Sequence, residues 1–108
     1  MTAIVKIKGI PLPLGGATYI VPPLNLGALE QLQDRLANFS GGIDASSVGT
    51  VLDAAHAALI RNYPDLTRER VAELIDVANM GEVMEAVMDV SGLKRQAFET
   101  EGQSSGEA

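Results

Sequence analysis

The chain has 108 residues, a formal charge of −6, no cysteine and one histidine, His56. Thiol chemistry, disulfides, cysteine-ligated zinc and iron–sulfur clusters are excluded, one histidine leaves too few ligands for a metal centre, and the negative charge opposes the broad phosphate contact of nucleic-acid binding. Apolar residues make up 46% of the chain, but no run approaches a membrane span and Met1-Thr2-Ala3 leads into no signal-peptide core, so the expectation is a soluble cytoplasmic protein with no membrane partner.

At this length one domain suffices, with a core that stands without cofactor, metal or disulfide. It is expected over residues 1–93, with a hairpin region over 1–23 and a helical region over 24–93. From Ala3 to Lys8, Val5 and Ile7 alternate with Lys6 and Lys8, the period of a short half-buried strand. Ile10-Pro11-Leu12-Pro13-Leu14 and Ala17-Thr18-Tyr19-Ile20-Val21 are two extended runs joined by Gly15-Gly16, which tolerates positive φ at both positions and reads as a β-hairpin. Residues two apart in a strand point their N–H groups the same way, so Pro11 and Pro13 lose donors on one edge only. If that edge is open, they also block edge-to-edge association. Pro22-Pro23 ends the second strand.

Asn25 caps a helix running to about Asn38, with Leu26, Leu29, Leu32 and Leu36 as its apolar stripe. A glycine- and serine-rich loop from Ser40 to Ser47 follows, offering Asp44, Ser46 or Ser47 as the next N-cap. The second helix is expected from about Ser47 to Asn62, burying Val48, Val51, Leu52, Ala55, Leu59 and Tyr63, while Ala54, Ala57 and Ala58 keep its flanks thin. Pro64 lacks an N–H and pushes Tyr63 out of the helical region, which stops this helix. Thr67 restarts the chain as an N-cap accepting from the amide of Glu69 or Arg70, with Glu69 in the first turn, where the helix dipole favours a carboxylate. The third helix, burying Val71, Leu74, Ile75 and Ala78, ends near Ala78. Asn79 with Glu82 resembles a capping box for a fourth, which buries Val83, Met84, Val87 and Val90 and stops at Gly92. Residues 94–108 carry too little apolar content to offset the entropy of ordering and form an expected disordered tail. The fold class is mainly α: a small N-terminal β-hairpin, about four packed helices and that tail.

No catalytic constellation emerges. His56 has no nucleophile, acid or second histidine at a working spacing and reads as structural. Gly15-Gly16 lacks the lysine and following helix of a phosphate loop. Met80, Met84 and Met88 recur every four residues and read as core packing, with a partner-facing groove as the alternative. The sharper surface signal is acidic. Glu69, Glu73 and Asp76 fall on one face of the third helix and Glu82, Glu85 and Asp89 on one face of the fourth. Like charges at these spacings oppose helix formation by a few tenths of a kcal/mol per pair, offset in part by Arg70 with Glu73. A solvated face explains them, and so does a docking face for a basic partner helix, which makes these six carboxylates the candidate partner-binding residues.

The order of these motifs resembles a known family. Leu14-Gly15-Gly16-Ala17-Thr18-Tyr19-Ile20-Val21-Pro22-Pro23-Leu24, then Leu26-Gly27-Ala28-Leu29, then the corner Asn62-Tyr63-Pro64-Asp65-Leu66-Thr67, then Val83-Met84-Glu85-Ala86-Val87-Met88 closed by Ser91-Gly92 are similar to the tail assembly chaperones of long-tailed bacteriophages and prophages. The resemblance runs from about Leu12 to Leu93, and the Pro11-Leu12-Pro13 strand departs from the family pattern. It implies a protein with no enzymatic activity that binds the tape measure protein in the host cytoplasm, keeps it soluble, recruits tail tube subunits and is absent from the finished virion. It also implies a longer product made by programmed frameshifting. The rival reading is a small helical phage structural protein such as a head–tail connector. Homo-oligomerisation is left open.

Overall fold

The computed structural model describes residues 7–39 and 41–92. They form an antiparallel hairpin followed by four helices: β1 (Ile10–Leu14), β2 (Ala17–Val21), α1 (Leu26–Ala37), α2 (Ala45–Leu59), α3 (Arg68–Leu74) and α4 (Met80–Val90). The strand expected from Ala3 falls mostly outside the described residues, and Ile7 and Lys8, which are described, belong to no strand. The tail expected over 94–108 also lies outside them.

The hairpin turns on Gly15 and Gly16, with φ of 56° and 85°, the left-handed conformations a two-residue turn demands when it matches the twist of its strands. Its register pairs Leu14 with Ala17, Leu12 with Tyr19 and Ile10 with Val21. In such a hairpin these are the hydrogen-bonded pairs, so Pro11 and Pro13 sit between them with their nitrogens turned away from β2. Leu12, Leu14 and Val21 point into the core.

The outer edge of β2 is closed differently. The backbone N–H of Ile20 donates to the Tyr63 hydroxyl at 2.8 Å, and the Asn62 side-chain amide donates to the Ile20 carbonyl at 3.3 Å. The same Asn62 amide group donates to the Ile7 carbonyl at 2.9 Å and, through Oδ1, accepts from the Ile7 N–H at 2.6 Å. One buried side chain therefore imitates the backbone of a neighbouring strand. Tyr19 and Tyr63 meet edge to face, with centroids 5.1 Å apart and planes at 75°, a geometry worth about 0.5–1.5 kcal/mol. Arg61 adds a donor to the Pro23 carbonyl at 2.6 Å. Gly9 lies against β2 so closely that a Cβ there would meet the Val21 carbonyl oxygen at 1.9 Å, so only glycine fits.

α2 is the central helix and touches α1, α3, α4 and β2. Its buried residues are Ser47, Thr50, Val51, Ala54, Ala55, Ala58 and Leu59. The expected stripe through Val48 is thus turned toward the alanines: Val48 is exposed, while Ala54 and Ala58 are fully buried. Neighbours approach on both flanks, and small residues at the centre of contact let the backbones close up. The buried Thr50 hydroxyl donates to the Ser46 carbonyl at 2.9 Å, a bond internal to the helix. Asp44 is the N-cap, accepting from the Ser47 amide, and that bond holds its carboxyl below the ordinary range.

α1 is capped by Asn25, whose Oδ1 accepts from the Ala28 amide at 2.8 Å. Leu32 and Leu36 are buried and Leu29 packs against the core, but Leu26 is 80% exposed. It occupies the first turn, ahead of where α1 reaches its neighbours. The chain just before α1 is tied to the end of α4 by the Leu24 N–H donating to the Ser91 hydroxyl at 3.0 Å. α4 buries Met80, Val83, Met84, Ala86 and Val87 and stops before Gly92, which has φ of 80°. Met88 is partly buried against the same core, so the three methionines are packing residues.

Asn62→Ala should destabilise the protein by about 2–4 kcal/mol, because it leaves buried backbone groups of Ile7 and Ile20 without their partner. Tyr63→Phe, which removes one hydroxyl acceptor and keeps the ring contact, should cost about 1 kcal/mol. Urea unfolding of the two variants checks the ranking.

Candidate functional site

The corner between α2 and α3 sets where the acidic residues stand. α2 ends at Leu59, and a turn through Asn62 brings Tyr63 back onto β2. The Leu66 N–H donates to the Tyr63 carbonyl at 2.9 Å, and His56 Nε2 donates to the Leu66 carbonyl at 2.9 Å. His56 is thus structural, fastening the corner to α2. Thr67 caps α3 as expected, its hydroxyl accepting from the Arg70 amide at 3.0 Å.

α3 is shorter than its apolar spacing predicts. It ends at Leu74, Ile75 is extended with φ of −106° and ψ of 132°, and Ala78 is exposed. The reason is a reciprocal pair of hydrogen bonds. The Asp76 N–H donates to Asn79 Oδ1 and the Asn79 N–H donates to Asp76 Oδ1, both at 2.8 Å. This is capping-box geometry with Asp76 in the cap position, three residues before the expected Asn79–Glu82 pair. Asn79 makes no side-chain cap bond to α4; its amide donates to the Leu74 carbonyl at 3.2 Å, closing the end of α3.

Consequently Glu69, Glu73 and Asp76 do not share one helical face. Glu69 and Glu73 stand exposed on α3 opposite Val71 and Leu74, with Glu73 held by Arg70 at 2.9 Å as anticipated, while Asp76 lies beyond the helix as a structural cap. Glu82, Glu85 and Asp89 all lie on α4, are all exposed, and form one face opposite Val83, Met84 and Val87. Periodicity placed the second set correctly because α4 is regular throughout. The first set failed because a local side-chain bracket ended α3.

A feature that sequence reasoning missed lies beside Asp76. Ending α3 early and extending Ile75 leaves an apolar groove of about 160 Å³ between α2 and the α3–α4 link, lined by Val48, Leu52, Ala72, Ile75, Val77 and Met80 with Asp76 among them. Val77 is 71% exposed and Val48 36%. The available signal was Val77, an apolar residue outside the expected stripe of the third helix.

Asp53 was also missed. It bridges two helices, accepting from Arg35 of α1 at 2.8 Å and from Arg68 of α3 at 2.6 Å. Burial pushes its carboxyl up, but the hydrogen bonds and charges of Arg68 and Arg35 outweigh that and hold it below the ordinary range. Among the described residues no group of three His, Cys, Asp or Glu side chains converges as a metal site, and no helix is long and apolar enough to cross a membrane.

A depressed folded-state carboxyl contributes stability that is present above the unfolded value of about 3.9 and lost as pH falls through the lower folded value. Asp53→Asn should therefore lower stability at neutral pH by about 0.5–1 kcal/mol, the range of partly exposed ion pairs, and the gap from the parent should narrow at acid pH. Thermal melts of both proteins from neutral pH into the acid range measure it.

Comparisons with known proteins find no protein-family model, no curated protein and no solved structure that matches this chain.

Proposed function

We propose that this protein is a tail assembly chaperone of a long-tailed bacteriophage or prophage, which binds the tape measure protein in the host cytoplasm, keeps it soluble and recruits tail tube subunits. The reading rests on the motif order from Leu14 to Gly92. The observation that carries its binding part is the face of Glu82, Glu85 and Asp89, exposed along α4 while the opposite side of that helix is buried. A continuous row of carboxylates on a rigid helix offers a long helical partner its complementary charge, which speeds encounter and selects basic segments. Glu69 and Glu73 are two further exposed carboxylates, on α3. Asp76 is better assigned to capping, since Asn79 donates its N–H to it.

Lysine substitution of Glu82 and Asp89 should reduce co-purification of a co-expressed tape measure protein by at least about tenfold at low salt, equivalent to about 1.4 kcal/mol, while far-ultraviolet circular dichroism stays unchanged. Undiminished recovery would remove the acidic-face mechanism. Mass spectrometry of purified virions tests the wider assignment: a chaperone is missing from them, whereas a connector is present at fixed copy number.

A further inference from the structure

The groove beside the α3–α4 link has core side chains such as Met80 in its floor, whereas Val48 and Val77 at its mouth stand outside the core. Val77 sits in a turn whose backbone is fastened by the Asp76–Asn79 bracket, so a polar side chain would serve there equally well, yet a valine stands 71% exposed. Val48 opens onto the same space from α2, and Ala72 reaches it from the solvent side of α3. The volume of about 160 Å³ matches one large apolar side chain, since apolar cavities of about 150 Å³ accept a benzene ring.

The charge around it is of one sign. Asp76 lines the groove, Glu69 lies one turn before Ala72 on the same side of α3, and neither has an ion pair among the described residues. The nearby cations are engaged: Arg68 by Asp53 and Arg70 by Glu73. A second copy of this chain would bring its own acids against these, and the chain carries −6 in all, so self-association there is opposed.

We infer that this groove is a docking site for an amphipathic helix from a partner protein, which seats one leucine- or phenylalanine-sized anchor between Val48, Ala72 and Val77 and flanks it with lysine or arginine facing Asp76 and Glu69. Such an anchor-plus-charge arrangement is how helices are held in grooves. The inference relies on the chaperone reading only for the natural partner's identity; the chemistry of the groove stands apart from it.

The test is a nitrogen–proton correlation titration of the full chain with a synthetic leucine–lysine peptide of about 18 residues, long enough to hold a helix. Shifts should centre on Val48, Ala72 and Val77, and peptides with alanine replacing leucine, or glutamate replacing lysine, should bind at least about tenfold more weakly, as expected when an anchor or its charge complement is lost. Ala72→Leu fills the groove from an exposed helical position with a good helix former, and should weaken binding by a similar factor without lowering the melting temperature. Val77→Ser provides a second variant should Ala72→Leu perturb the fold. The inference is overturned by shifts centred elsewhere, by equal binding of the glutamate peptide, by full binding to both variants, or by a groove already occupied in the free protein by a second copy or another part of the chain. If the peptide binds here while no tape measure protein co-purifies, the chaperone assignment fails and the groove stands.

Discussion

The architecture depends on the Asn62 side chain. A two-stranded hairpin is marginal alone in water, and this one has a sheet edge on each side to manage. Proline deals with one edge by removing donors. The other is closed by Asn62 and Tyr63, whose side chains meet the backbone of Ile7 and Ile20 as a further strand would. Because these residues immediately follow α2, the same contacts fix where the central helix ends relative to the hairpin. A buried amide carries a desolvation cost, and here it is met by three hydrogen bonds to backbone groups that would otherwise need partners of their own.

The rest of the helical packing is built on the alanine face of α2. Ala54 and Ala58 are fully buried because α2 is approached on several sides at once, and only small side chains allow that without pushing the helices apart. The Arg35–Asp53–Arg68 bridge then ties α1 and α3 together on the solvent side of α2. Partly exposed ion pairs add little stability, and this one fastens the first residue of α3, whose start Thr67 caps, to α2.

Surface function follows from where local hydrogen bonding overrides periodicity. The α3 stripe points to Ala78, yet the Asp76–Asn79 bracket stops the helix at Leu74 and turns Ile75 into an extended link. That change separates Asp76 from Glu69 and Glu73, and it opens the apolar groove in which Val77 is displayed. α4 has no such interruption, and its acids remain aligned.

Much of this was written in the sequence, wherever the information is local. Gly15-Gly16 specifies the hairpin turn because few residues accept its two positive φ values; Asn25 and Thr67 specify helix starts because their side chains bond amides three residues on; Pro64 and Gly92 specify stops. What the tertiary structure alone decided are the choices among locally equivalent options. Asn62 looks like an ordinary helix end until Ile7 and Ile20 are brought to it, although its place three residues past Leu59 on the buried side of α2 hinted at more. Val48 and Ala54 are both apolar, and only the arrival of neighbouring helices buries the smaller one. Leu26 suits the stripe of α1 but is left exposed, beyond the reach of the other elements among the described residues. Asp76 and Glu82 are alike in charge, and only the bond to Asn79 makes one of them a cap and leaves the other on an open face. Periodicity counts residues along one helix, whereas burial and pairing are set by what lies across from it.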